Sequence, residues 1–166
     1  MKKRYKVLII LVAVIAFFAV MIYGGFLSSG SYPYSENYKF HTNNDTLINA
    51  IKTFKKNNPS FNAPKEIGLV DSLDENNIFY NFWIYYPQQN EIVFFIVESD
   101  YNDKNNSTLR LISVNSGLAL GHWRTINDDI GRTENLAQKK QFQTQVLDKL
   151  KLDYKDDGNN NFVFWK

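Results

Sequence analysis

From Val7 to Leu27 the chain runs for 21 residues without a charge, VLIILVAVIAFFAVMIYGGFL. As a helix rising 1.5 Å per residue this run is about 31 Å long, close to the roughly 30 Å of a bilayer's hydrocarbon. A cleaved signal peptide usually carries a shorter apolar stretch that ends at an A-x-A-like site. Here the run is longer and closes on Phe26, Leu27 and Ser28, so a retained signal anchor is expected. Basic residues stay on the cytoplasmic side, and Lys2, Lys3, Arg4 and Lys6 all precede the run. The organisation that follows is a basic cytoplasmic tip at 1–6, a single transmembrane helix at 7–27, a polar tether at 28–35 and a domain at 36–166. That domain is expected in the periplasm or outside the cell, on an inner (cytoplasmic) membrane anchor.

Charge and composition narrow the function. Of the 19 basic residues four lie in the tip, whereas all 17 acidic residues follow the run, so the remainder carries a net −2. Nucleic-acid binding needs clustered Lys and Arg on the folded domain, and none is expected. The chain has no cysteine, which removes disulfides, thiolate catalysis, Cys-type zinc sites and iron–sulfur clusters. Residues 36–166 suffice for one core, not two.

Asn43 or Asn44 is placed to cap a helix that puts Leu47, Ile48, Ile51 and Phe54 on one face and stops at Asn57, Asn58 and Pro59. Short strands are expected near Tyr38 and Phe40 and at 66–70. The runs IFYNFWIYY (78–86) and EIVFFIVE (91–98) read as a hairpin across Pro87–Asn90, followed by TLRLISVN (108–115). A second helix is expected over 134–152, with Leu136, Phe142, Val146, Leu147 and Leu150 inward, then a turn at 156–159 and a last strand at 162–165. Strands grouped in this way predict an α+β fold of order β-α-β-β-β-β-α-β, its mainly antiparallel sheet carrying two helices on one face.

A four-residue loop fixes the hairpin register, with Tyr86 opposite Glu91, Ile84 opposite Val93, Phe82 opposite Phe95 and Tyr80 opposite Val97. That face continues into Leu109 and Leu111 and is assigned to the core. The other face carries Phe79, Asn81, Trp83 and Tyr85, then Ile92, Phe94, Ile96 and Glu98, then Thr108, Arg110 and Ile112. A solvated sheet face should alternate apolar with polar residues, and this one does not. Either the segment 116–132 or the C-terminal strand covers it, or Phe79, Trp83, Tyr85, Phe94 and Arg110 form an interface, since aromatic and Arg side chains supply large contact area with a polar handle.

Catalytic and metal-binding patterns are mostly missing. His41 and His122 are the two histidines, and no H-x-x-x-H or H-E-x-x-H spacing occurs. His122, Trp123 and Arg124 form a compact group that would line a pocket if Asp128, Asp129 or Glu134 stood beside it; a loop before the second helix is the plainer reading. The loops at 100–105 and 153–158 fail the calcium pattern at key positions. No glycine-rich phosphate loop and no G-x-S-x-G elbow is present. No metal, no cofactor and no catalysis are therefore expected. The function expected is a membrane-anchored module that binds another protein through the aromatic face or through acidic loops at 71–75, 100–103, 128–129 and 153–157. An immunity protein against an envelope-acting toxin is one concrete form. An accessory subunit of a secretion or division complex is the alternative, and a cell-envelope hydrolase built on His122 a more remote one.

Overall fold

The computed structural model describes residues 32–100 and 103–158, together with Val12 and Val14. The boundary between the two compact units of the chain falls between Pro33 and Tyr34. Among the described residues no helix is long and apolar enough to cross a membrane. The apolar run 7–27 lies outside them, apart from Val12 and Val14, which are helical and exposed. The strand expected at 162–165 also lies outside the described residues.

Among the described residues from Tyr34 onward the chain is α+β, with an antiparallel sheet and three helices. The order is β1 (Glu36–Phe40), α1 (Asn44–Asn57), β2 (Ser72–Leu73), β3 (Tyr80–Tyr86), β4 (Glu91–Ser99), β5 (Ser107–Ser116), β6 (Trp123–Thr125), α2 (Arg132–Phe142), α3 (Asp148–Leu150) and β7 (Tyr154–Gly158). The sheet runs β2-β3-β4-β5-β1-β7, and β6 lies beside β5 on the same edge as β1.

Local chemistry sets the first helix. The Asn43 side chain accepts from the Thr46 N–H at 2.9 Å, satisfying a donor that the helix start leaves open. Asn58 N–H and its side chain return to the Phe54 carbonyl, and Pro59 follows. Leu47, Ile48, Ile51 and Phe54 are buried as their spacing requires. Helices α2 and α3 are joined by a wide π-type turn, Gln143–Leu147, where the Thr144 hydroxyl donates back to the carbonyls of Lys140 and Gln141. Phe142, Val146, Leu147 and Leu150 all reach the core across it.

The core lies between one sheet face and the helices. Tyr38, Phe40, Phe82, Ile84, Tyr86, Val93, Phe95, Val97, Leu109, Leu111 and Val114 meet the buried side chains of α1, α2 and α3 there. Phe95 stacks on Phe82 at 5.4 Å and meets Phe142 edge-on at 5.1 Å. Burial pushes the Tyr86 phenol up from its ordinary range.

The hairpin has the register expected of it, from Tyr80 opposite Val97 to Tyr86 opposite Glu91. Other elements differ from the sequence reading. Residues 65–67 form a 3-10 turn, and the strand of this region is Ser72–Leu73, inside the stretch read as an acidic turn. Tyr154–Gly158 is a strand, although 156–159 read as a turn. Pairing with β1 and the Lys39–Asp157 ion pair at 2.9 Å override that local composition. The second helix begins at Arg132 after Gly131, not at Glu134. Leu136 is 55% exposed, not inward; Gln138 is buried instead, its side chain donating to Glu91 at 2.7 Å. Strand β6 was absent from the expected order.

Candidate functional site

The second face of the sheet brings aromatic side chains and Arg110 together. Pairing places Trp83 opposite Phe94, Tyr85 opposite Ile92, Asn81 opposite Ile96, and Ile96 opposite Arg110. A bulge shapes the far side: Phe95 pairs with Leu111 and Phe94 with Ser113, so Ile112 is an extra residue in β5. The bulge shifts parity by one, so that Ser113 and Asn115 share the second face while Val114 returns to the core.

Trp83 and Phe94 stack with centroids 5.3 Å apart, and Trp123 meets Phe94 edge-on at 6.3 Å. Strand β6 brings Trp123 there by pairing it with Asn115. The three rings form a half-buried row along a face that the described helices leave to the other side of the sheet. Ile92, Ile96 and Ile112 between and beside them are buried, yet they stand outside the core cluster. Tyr85 is half-buried and its hydroxyl donates to the Asn90 side chain at 3.0 Å.

Arg110 is held in place rather than loose. Its guanidinium pairs with Glu98, and Nη1 donates to the Asn37 side chain at 3.4 Å. Phe79 lies just before β3, where its N–H donates to Asp74 Oδ1 at 2.7 Å. Those backbone donors keep the Asp74 carboxyl below its usual range. The open edge of β3 is closed at Trp83: its N–H donates to Asp71 and its carbonyl accepts from Lys55 Nζ, which also binds Asp71 at 2.6 Å.

Of the five residues expected to form the interface, Trp83, Tyr85, Phe94 and Arg110 share this face, and Phe79 flanks it. The group 122–124 is taken apart. Trp123 joins the aromatic row. Arg124 turns to the helix side, where it binds Glu134 at 2.7 Å and Glu91 at 3.8 Å. That contact holds the Glu134 carboxyl down and the guanidinium up. His122 is exposed, and its backbone N–H donates to Asn115; no hydrogen bond joins its ring to a carboxylate among the described residues. No group of three or more metal-ligating side chains comes together among the described residues either.

Several acids expected to face outward are used internally. Asp71 holds Lys55, Asp74 the turn before β3, Asp103 the side chain of Asn106, and Asp157 Lys39. Away from the sheet face, a groove of about 860 Å³ runs between α1 and α3, lined by Ala50, Phe54, Phe61 and Leu150 with a rim of Asn, Thr, Gln and Lys.

The sequence reading missed Asn115. This wholly buried side chain donates to the carbonyls of Gly117 at 2.8 Å and Ala119 at 3.1 Å, and accepts from the His122 N–H at 2.9 Å. An Asn inside an apolar strand, two residues before a Gly, was the available signal, because buried amides need partners. Comparison with known proteins gives no match: no family model, no curated protein and no solved structure matches the chain.

Proposed function

We propose that the chain is a single-pass, membrane-anchored module whose extracytoplasmic domain binds another protein through the second sheet face. The observation that carries this reading is the half-buried row Trp83–Phe94–Trp123, flanked by Tyr85 and by an Arg110 already oriented by Glu98 and Asn37. Rings and an Arg fixed before binding lose little side-chain freedom on docking, which is what gives such groups their large share of interface energy. The anchor rests on the 21 uncharged residues 7–27 behind a basic tip. An inhibitor of an envelope-acting toxin fits this description, as a small domain held at the site of damage with its binding face presented to the toxin.

Affinity capture with the detergent-extracted full chain from its own cells tests the reading. A co-purifying protein should be retained by the native chain and lost with Trp83→Ala, while the thermal midpoint moves little. Equal retention by both would reject the face. A reporter fused to Lys166 that is active inside the cell would reject the orientation.

A further inference from the structure

On the helix side of the domain, the groove of about 860 Å³ between α1 and α3 falls within the roughly 300–1,000 Å³ of small-ligand sites. Beside it a smaller hollow of about 260 Å³ reaches the hairpin loop, and Phe61 and Gln145 line both.

Two backbone irregularities coincide with this groove. The π-type turn Gln143–Leu147 supplies Thr144 and Gln145 to its wall. Such turns are rare and recur at functional sites. Lys151, also in the lining, ends α3 in the left-handed region at φ +57°. The other non-glycine residues at positive φ among the described residues are Asn77, Asn90 and Asn127, a type that tolerates it. A lysine there carries a backbone cost that glycine, the usual residue after a helix, would remove. Strain of this kind gathers at ligand sites.

The lining sorts the ligand classes. Phe61 is fixed edge-on against Phe54 at 5.3 Å and Tyr86 at 5.9 Å, and it stays half-buried, which makes it a ring platform. Asn49, Asn57 and Gln145 stand around the groove, and their side chains hold no hydrogen bond to other described residues. Asn43, Asn58, Asn115 and Asn127, by contrast, are spent on backbone groups. An uncommitted amide both donates and accepts, which matches the hydroxyls of a sugar. The charges in the lining are Lys149 and Lys151, with no carboxylate. Asp148 is engaged elsewhere, accepting from the Tyr154 hydroxyl at 3.0 Å. This basic spot belongs to a chain that is net −2 beyond its tip.

From this lining we infer that the groove binds an acidic oligosaccharide, with a pyranose ring against Phe61, its hydroxyls paired with Asn49, Asn57 and Gln145, and a carboxylate held by Lys149 and Lys151. The site is separate from the aromatic row, which lies on the opposite face of the sheet from the helices.

Calorimetric titration of the full chain, in a detergent without a sugar headgroup, tests this. The probes are α-1,4-tetragalacturonate, β-1,4-tetramannuronate and a hyaluronan tetrasaccharide, each beside its methyl ester. At least one acid should bind, and its ester about tenfold more weakly, because esterification removes the charge that the lysines pair with. Gln145→Ala should weaken the acid about threefold. Lys149→Ala with Lys151→Gly should weaken it about tenfold, while Lys151→Gly alone raises the thermal midpoint by about 2 °C as the strain is relieved. That split, weaker binding by a more stable chain, is what a merely structural Lys151 would not give. Binding of none of the acids, equal binding of acid and ester, or affinities unmoved by the groove variants overturns the site. Binding lost with Trp83→Ala but kept by the groove variants also overturns it, moving the saccharide to the sheet face.

Discussion

The two faces of one sheet bury apolar side chains on different terms. On the first, Phe82, Phe95 and Phe142 are wholly enclosed between strands and helices. On the second, Ile92, Ile96 and Ile112 are as well buried, but Trp83, Phe94 and Trp123 are only half so. The alternation rule separates a core face from a wet face. Here it fails because the second face has a buried aliphatic floor and an aromatic rim, the arrangement on which the proposed binding role rests.

The largest contrast should come from truncating one aromatic on each face. Phe95→Ala removes a ring packed on two others in an enclosed core and should cost about 3–5 kcal/mol in urea unfolding. Trp83→Ala loses mainly its stack on Phe94 and partial burial, about 1 kcal/mol. Equal losses would mean the second face is core. Next in size is Asn115→Ala, which strands two carbonyls and one N–H of the 117–122 loop; about 2 kcal/mol is expected, with faster proteolysis within the loop. Lys55→Met leaves Asp71 without its cation and the Trp83 carbonyl without its donor. About 2 kcal/mol is expected there too, less than for a fully enclosed pair because Asp71 is 21% exposed.

The smallest effect concerns pH. The folded Asp74 pKa lies below its ordinary 3.8, lowered first by the Phe79 N–H. Its contribution is therefore present above pH 3.8 and lost as pH falls through the depressed value. The midpoint difference between the native chain and Asp74→Ala should be constant from neutral pH down to about 5, then narrow in stronger acid. A gap that widens on acidification would contradict the assignment.

How much of this was legible in the sequence depended on whether local pattern or distant pairing decides. The register of β3 and β4 could be read because a four-residue loop and a period of two leave one solution that puts Phe82 and Phe95 inward. Helix α1 was legible from its Asn43 cap and the spacing of its apolar residues. Strand β6 was not, since Trp123, Arg124 and Thr125 alternate in no recognisable way and extend only because β5 has an edge left beyond Glu36. The bulge at Ile112 leaves no local mark. Asp156, Asp157 and Gly158 carry turn composition, and pairing with β1 makes them a strand. Leu136 looked inward by period, but the helix face is set by Gln138 reaching Glu91. Within the site, four of the expected interface residues were legible through parity alone, while the arrival of Trp123 depended on the unseen β6.

Site-specific photo-cross-linking on the full chain in its own membrane tests the account most directly. A photoreactive residue at Tyr85, on the aromatic face, should yield a discrete protein adduct, and the same residue at Thr53, exposed on α1 beside the 860 Å³ groove, should yield none. An adduct from position 53 without one from 85 would move recognition to the helices and contradict the role given to the second face.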